Sequence, residues 1–203
     1  MTSITRLQGR AEGVRYADDF VFIFEREHDA RRVLEVLPKR LERFGLTLHP
    51  DKTRLLDFRR PDRRKDDDGD SGGKGRSFDL LGFTHYWGRY RHGKWVVKKK
   101  TASDRFSRSL QRTAEWCRQN RHRPVGEQHQ ALSRKLVGHY AYYGVTFNFA
   151  ALAAFRLHVV RVWRKWLSHR SRAARRKCNW QWMNQLLERL PLPAPRIVHS
   201  KVT

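Results

Sequence analysis

Between Val14 and Phe24 the chain is aromatic and β-branched apart from Arg15, Ala17 and the adjacent carboxylates Asp18 and Asp19. Such a run predicts a β-hairpin with both carboxylates at or beside its tip. Apolar residues then recur at three- and four-residue steps through Ala30, Val33, Leu34, Leu37, Leu41 and Phe44, which predicts an amphipathic helix from about His28 to Phe44. Gly45 is placed to end it, and Pro38 inside the pattern predicts a kink or a split. Leu46-Thr47-Leu48 and Thr53 to Phe58 read as strands joined by a turn at His49-Pro50-Asp51.

Arg59 to Arg76 has no hydrophobic residue and predicts a disordered surface loop, taken as 59–77. Its Asp66, Asp67, Asp68 and Asp70 lack the alternation and closing glutamate of a calcium loop. Phe78 to Phe83 is followed by a second expected hairpin, Tyr86 to Arg91 and Trp95 to Val97, around His92-Gly93. From Thr101 the period becomes helical. Thr101 with Asp104 marks a helix start, with Phe106, Leu110, Ala114 and Cys117 on one face. After a break at Arg123-Pro124, a second helix carries Leu132, Leu136, Tyr140 and Tyr143 and closes at Gly144. Asn148 opens a third, with Leu152, Phe155, Val159, Val160, Trp163 and Trp166 or Leu167 inward and Arg156, Arg161, Arg164 and Lys165 largely outward. A loop-like link, Arg170 to Lys177, leads to a fourth helix from Trp180 to Leu190, stopped by Pro191, Pro193 and Pro195.

Charge sharpens this division. Over 203 residues the formal net charge is +24, which points to a polyanionic partner, nucleic acid first. Residues 1 to 87 carry 18 basic and 16 acidic side chains, while 88 to 203 carry 26 and 4. The first part reads as a globular piece with acidic chemistry and the second as a cationic binding surface. A basic membrane-surface protein is the competing class. No apolar run has spanning length and no signal-peptide pattern opens the chain, so a cytoplasmic protein without a membrane partner is expected. Cys117 and Cys178 have no Cys or His neighbours at metal-ligand spacing, which argues against structural zinc and a disulfide framework.

Two adjacent carboxylates on a hairpin serve either a turn or the binding of divalent cations. Two Mg²⁺ ions about 4 Å apart would activate an attacking hydroxyl and stabilise a leaving phosphate oxygen. Tyr16 to Asp19, YADD, with Val14-Arg15 before it and Phe20-Val21 after it, resembles the catalytic box of group II intron-encoded reverse transcriptase/maturases. The resemblance implies a site of Asp18, Asp19 and Tyr16, with Asp18 and Asp19 holding Mg²⁺ and Tyr16 positioning primer or nucleotide. Phe44 to Asp57 resembles the family's next block. There Lys52 matches a lysine near the incoming nucleotide's phosphates, where an ammonium offsets charge or protonates pyrophosphate. An exposed strand lysine is the plainer reading. Leu81-Gly82-Phe83 resembles the primer-grip hairpin, with Gly82 allowing close approach of a chain or a primer terminus, an ordinary strand glycine being the alternative.

Gly138 to Gly144 and Trp163 to Ser171 are similar to the family's thumb and maturase region, domain X. Trp163 and Tyr140 are expected in the core. The expected contacts to intron RNA and to the RNA template and DNA primer are Lys98, Lys99, Lys100, Arg105, Arg108, Arg112, Arg172, Arg175, Arg176 and Lys177. The implied fold is α+β: a partial reverse-transcriptase palm over 1–100, a three-helix thumb over 101–170 and a maturase segment over 171–203. The family's fingers and first palm strand, which supplies another metal-binding aspartate, would lie before residue 1. Stand-alone activity is therefore doubtful without a separate N-terminal fragment. The expected function is RNA-directed DNA polymerase and intron maturase. The alternatives are a non-catalytic intron-RNA-binding splicing helper or an inactive truncated remnant.

Overall fold

The computed structural model describes residues 7–61 and 76–200. Two compact units form, Met1–Arg60 and Pro61–Thr203. Among the described residues the fold is α+β, with two antiparallel sheets of two and three strands and six α-helices. The expected 59–77 loop, with its aspartates from Asp66 to Asp70, lies largely outside the described residues.

In the first unit, β1 (Ala11–Tyr16) pairs with β2 (Asp19–Phe24) from Ala11↔Phe24 to Tyr16↔Asp19. The register sets Phe20, Phe22 and Phe24 on one face, with neighbouring ring centroids 5.4 and 6.3 Å apart. Gly13 lies opposite Phe22, and a Cβ there would meet that ring at 2.9 Å, so the missing side chain leaves room for it. The other face keeps Val14, Tyr16 and Ile23 exposed.

Helix α1 (Glu27–Glu42) runs continuously through Pro38, so the expected split does not occur. Its end is the one expected: Gly45 takes φ 68°, with its N–H on the Glu42 carbonyl and the Leu46 N–H on that of Leu41. This left-handed closure satisfies two terminal carbonyls. At the other end the buried Asp29 carboxylate accepts the backbone N–H groups of Gln8 and Gly9 and lies 3.2 Å from His28 Nε2. Burial pushes that carboxyl up, but the Gly9 and Gln8 amides and the His28 and Arg26 charges outweigh it and hold it below its ordinary value. The strands expected at Leu46–Leu48 and Thr53–Phe58 do not form. A short 3-10 turn, Pro50–Lys52, occupies the middle of this segment, and no ladder partner is present among the described residues.

In the second unit, β3 (Ser77–Leu80), β4 (Phe83–Arg89) and β5 (Trp95–Thr101) form a meander, so the sheet grouped in sequence with the first hairpin is compacted with the helices. The hairpin around His92-Gly93 forms as expected, Arg89 pairing with Trp95. Then follow α2 (Ser103–Gln119), α3 (Val125–Tyr143), α4 (Phe149–Ser168), α5 (Arg172–Lys177) and α6 (Trp180–Arg189). Their core holds Cys117, Leu132, Leu136, Tyr140, Leu152, Phe155, Val159, Trp163, Leu167, Met183 and Leu186. Trp163 and Tyr140 are buried as expected, and of Trp166 and Leu167 it is Leu167 that is enclosed.

Several local expectations give way to packing. Thr101 does not cap α2: it ends β5, where its backbone N–H donates to Asn148 Oδ1 at 2.8 Å and its Oγ1 accepts from Asn148 Nδ2 at 2.9 Å. The same Nδ2 donates to the Tyr143 carbonyl at 2.8 Å, so one buried carboxamide joins β5, the end of α3 and the start of α4. Arg156 and Arg164 are half-buried rather than outward. Arg156 donates to the Pro193 and Leu192 carbonyls, and Arg164 donates to the Cys178 carbonyl. The link Arg170–Lys177 is mostly helical, because Ser171 Oγ accepts the Ala174 N–H and starts α5.

The proline run after α6 does more than stop a helix. His129 Nε2 donates to the Pro191 carbonyl, Tyr140 Oη to that of Pro193, and the Val198 and His199 N–H groups to that of Gly144. A Cβ on Gly144 would meet the Tyr140 carbonyl oxygen at 2.3 Å and the Arg196 carbonyl oxygen at 2.9 Å, so only glycine admits this strap. In the first turn of α3, buried Gln128 donates to the Arg121 and Arg123 carbonyls of the α2–α3 loop and accepts from Trp163 Nε1 at 3.0 Å. The Arg170 guanidinium donates to the same two carbonyls.

Asn148→Ala leaves the Thr101 N–H and the Tyr143 carbonyl without their buried partner. It is expected to cost about 2–4 kcal/mol in denaturant unfolding followed by tryptophan fluorescence. His139 supplies a pH test. It stacks on Phe155 at 3.8 Å between centroids, and burial lowers its pKa to about 4. The unfolded chain takes up this proton first, so the stability held by neutral His139 is complete above pH 6.5 and is lost as pH falls toward 4. The loss is up to about 3 kcal/mol. His139→Phe is expected to flatten that part of the stability profile.

Candidate catalytic hairpin and nucleic-acid interface

The tip of the first hairpin is a two-residue turn, Ala17-Asp18, between the closing pair Tyr16 and Asp19. Ala17 adopts φ 53°, the left-handed start that suits tight hairpin turns, and Arg15 Nε braces it by donating to the Ala17 carbonyl at 2.9 Å. Asp18 is therefore a turn residue and Asp19 the first residue of β2, and both are exposed. Tyr16, 65% exposed, presents its ring on the face of Val14 and Ile23. Lys52 ends the 3-10 turn, exposed, and is not in a strand. Neither carboxylate nor Lys52 joins an ion pair among the described residues.

Hard oxygen donors on a rigid turn are the right chemistry for Mg²⁺. Two neighbouring carboxylates supply only part of a two-metal set, and among the described residues no group of three His, Cys, Asp or Glu side chains converges anywhere. The described residues do not assemble a self-sufficient metal centre.

Leu81 and Gly82 form the turn of the β3–β4 hairpin, with φ 51° and 77°. Positive φ at both turn positions matches the twist of the strands, and Gly82 meets it without strain. Leu81 does so at a cost of about 1–2 kcal/mol. The Leu81 carbonyl accepts from Tyr142 Oη at 3.0 Å, Ala102 N–H donates to the Gly82 carbonyl, and a Cβ on Gly82 would lie 3.3 Å from Tyr143 Oη. Phe83 stacks on Tyr142 at 5.8 Å and meets Tyr143 edge-on at 5.4 Å. Gly82 is thus a turn glycine whose close neighbours are Tyr143 and Arg105.

The ten expected nucleic-acid contacts all lie on the second unit. Nine are exposed and Lys98 is half-buried. Arg105, Arg108 and Arg112 share a stripe of α2, facing away from the buried Thr113 and Cys117. Arg105 and Arg108 pair with Asp104. Burial raises that acid's pKa, but Arg108, the Arg105 amide and both charges outweigh it and hold the carboxyl low. Arg112 lines a shallow groove with Trp116 and Lys135, Lys135 Nζ lying 5.5 Å from the Trp116 ring centroid. Arg172, Arg175, Arg176 and Lys177 crowd the six-residue α5, which has no acid to offset them.

Sequence reading missed Lys135 and the aromatic partners of the lysines. Lys100 Nζ lies 5.2 Å from the Tyr86 ring centroid and Lys98 Nζ 5.5 Å from that of Phe147. Alternation along β4 and β5 was the available signal for Tyr86, whereas nothing local marked Phe147. Both cysteines are buried, and desolvation pushes the Cys117 thiol up to about 12 and raises that of Cys178 as well, which disfavours the thiolate. Among the described residues no helix is long and apolar enough to cross a membrane.

Comparison with family models, with curated proteins and with solved structures finds no match to this chain. Function rests on the residues and their geometry.

With two carboxylates as donors, Mg²⁺ titration of the chain, followed by calorimetry, is expected to give affinity on the order of millimolar or weaker. Asp18→Ala with Asp19→Ala is expected to abolish that binding without shifting the unfolding midpoint, since both side chains are exposed.

Proposed function

We propose that this chain is a palm-to-maturase portion of a group II intron-type reverse transcriptase/maturase. Through the cations of its second unit it binds structured intron RNA and the duplex of RNA template and DNA primer. Its YADD hairpin contributes Asp18 and Asp19 to an RNA-directed DNA polymerase centre whose remaining metal-binding carboxylate comes from beyond the described residues. The observation that carries the reading is the order of four features: a YADD turn, Lys52-Thr53, a Leu81-Gly82 turn, and a basic helical bundle.

The geometry supports each assignment in its own place. A two-residue turn on a paired hairpin leaves Asp18, Asp19 and Tyr16 exposed, free to meet a primer terminus. The Leu81-Gly82 turn is anchored to α3 and the start of α2 by hydrogen bonds and stacked rings, as a rigid grip on a primer requires. Exposed arginines and lysines on α2, β5 and α5 suit phosphate contacts, whose affinity falls steeply with salt.

One observation favours a second reading. The carboxylate pair stands without a third donor among the described residues, which suits an RNA-binding splicing helper that does no chemistry of its own.

Primer extension on an RNA template with Mg²⁺ separates the two. The chain alone is expected to extend poorly, and a mixture with an N-terminal fragment of such an enzyme is expected to synthesise DNA. Asp18→Ala with Asp19→Ala is expected to lower that synthesis by about 100-fold or more while RNA binding persists. Salt-sensitive RNA binding without synthesis in any mixture would leave the splicing helper. Absence of RNA binding would overturn both readings.

A further inference from the structure

One face of the three-stranded sheet combines aromatic rings and lysines in a way that the proposed duplex and phosphate contacts do not require. The register places Tyr86, Gly88, Lys98 and Lys100 together on that face, with Tyr86 directly opposite Lys98. The stem of Lys98 lies across Gly88: a Cβ there would meet Lys98 Cδ at 2.8 Å, so the glycine provides the bed for the lysine. This stem leads the ammonium to the ring of Phe147, 5.5 Å from its centroid. Tyr90, just past the end of β4, meets Phe147 edge to face, with centroids 5.6 Å apart and planes at 78°. Lys100 stands over Tyr86 at 5.2 Å. The only acid on this face of the strands, Asp79, accepts a hydrogen bond from Thr84 Oγ1.

Phe147 adopts φ 74°, a left-handed conformation that opposes any side chain with a Cβ and opposes a bulky ring most. Folding stability alone would favour glycine or asparagine at that position. The strained backbone nevertheless presents a large ring that is 37% exposed, beside Tyr90 at 43%. Strain of this kind, at a ring that stays partly exposed beside a second exposed ring and a lysine, points to a ligand.

We infer that Tyr86, Tyr90 and Phe147, with Lys98 and Lys100, form a stacking platform for unpaired RNA. The inference rests on the RNA-binding reading above and names the strand form this face takes. Partly exposed rings next to ammonium groups match a splayed base and its flanking phosphate. Bases in a duplex are already stacked on each other and cannot use it. The edge-to-face contact of Tyr90 with Phe147 fixes both rings while each stays partly exposed, so little order remains to be imposed on binding.

Fluorescence anisotropy with a labelled single-stranded RNA of about 12 nucleotides and a blunt RNA duplex of equal length tests this on the full chain. Phe147→Gly is the informative change, since glycine accepts the backbone conformation while the ring is lost. It is expected to leave the melting temperature unchanged or higher, to weaken single-strand binding by about tenfold, and to leave duplex binding unchanged. Tyr90→Ala is expected to act the same way and serves as the second variant if Phe147→Gly misfolds. Unaltered single-strand binding in both folded variants would overturn the platform while leaving RNA binding by the chain intact. Failure of the wild-type chain to bind either RNA would instead overturn the proposed function itself. Loss of binding to anionic phospholipid vesicles in these variants, with single-strand binding retained, would assign the patch to a lipid surface and overturn the inference.

Discussion

The second unit depends on one buried carboxamide. Asn148 uses its oxygen and both hydrogens on β5 and the end of α3, at a sequence distance of 47 residues from Thr101. A buried amide tolerates no idle donor or acceptor, so these bonds fix where the sheet meets the bundle. The Leu81-Gly82 turn then falls against Tyr142 and Tyr143, the stripe of Arg105, Arg108 and Arg112 starts just beyond β5, and Phe147 is held out beside Lys98. The junction of β5 with the bundle, from which these features extend, is thus held by polar contacts that are themselves buried.

Backbone capping by long side chains is the second recurring device. Gln128 and Arg170 converge on the Arg121 and Arg123 carbonyls, and Arg156 and His129 hold the strap after α6. Arginine suits this role because its planar fork carries several donors and can bury its stem. Such arginines are withdrawn from the surface, so the cations free to meet phosphate are fewer than the composition suggests. The exposed ones on α2, β5 and α5 define the proposed interface.

The first unit is built differently. Its hairpin shows apolar side chains on both faces, with Val14, Tyr16, Phe22 and Ile23 all exposed, and its buried anchor is the Asp29 carboxylate on two backbone amides. Such a hairpin is positioned by local pairing and by one helix end, which keeps Asp18 and Asp19 accessible.

Much of this was legible in the residues themselves. The hairpin at YADD, the end of α1 at Gly45, the break at Pro124 and the inward face of α4 all follow from period, turn chemistry and breaker residues, because these act over a few positions. The charge partition follows from counting. What failed was wherever a local preference met a distant partner. Thr101 reads as a helix cap until Asn148 claims it, Arg156 reads as solvated until the proline strap covers it, and Thr53 to Phe58 reads as strand with no neighbour to pair with. Residue pattern alone determined the YADD and His92-Gly93 hairpins, the five longer helices and which half is cationic, since short-range sterics and charge suffice for that. Tertiary structure alone decided which polar groups are buried, which cations remain free, and that Leu81 and Phe147 sit in left-handed backbone, because those outcomes depend on partners remote in the chain.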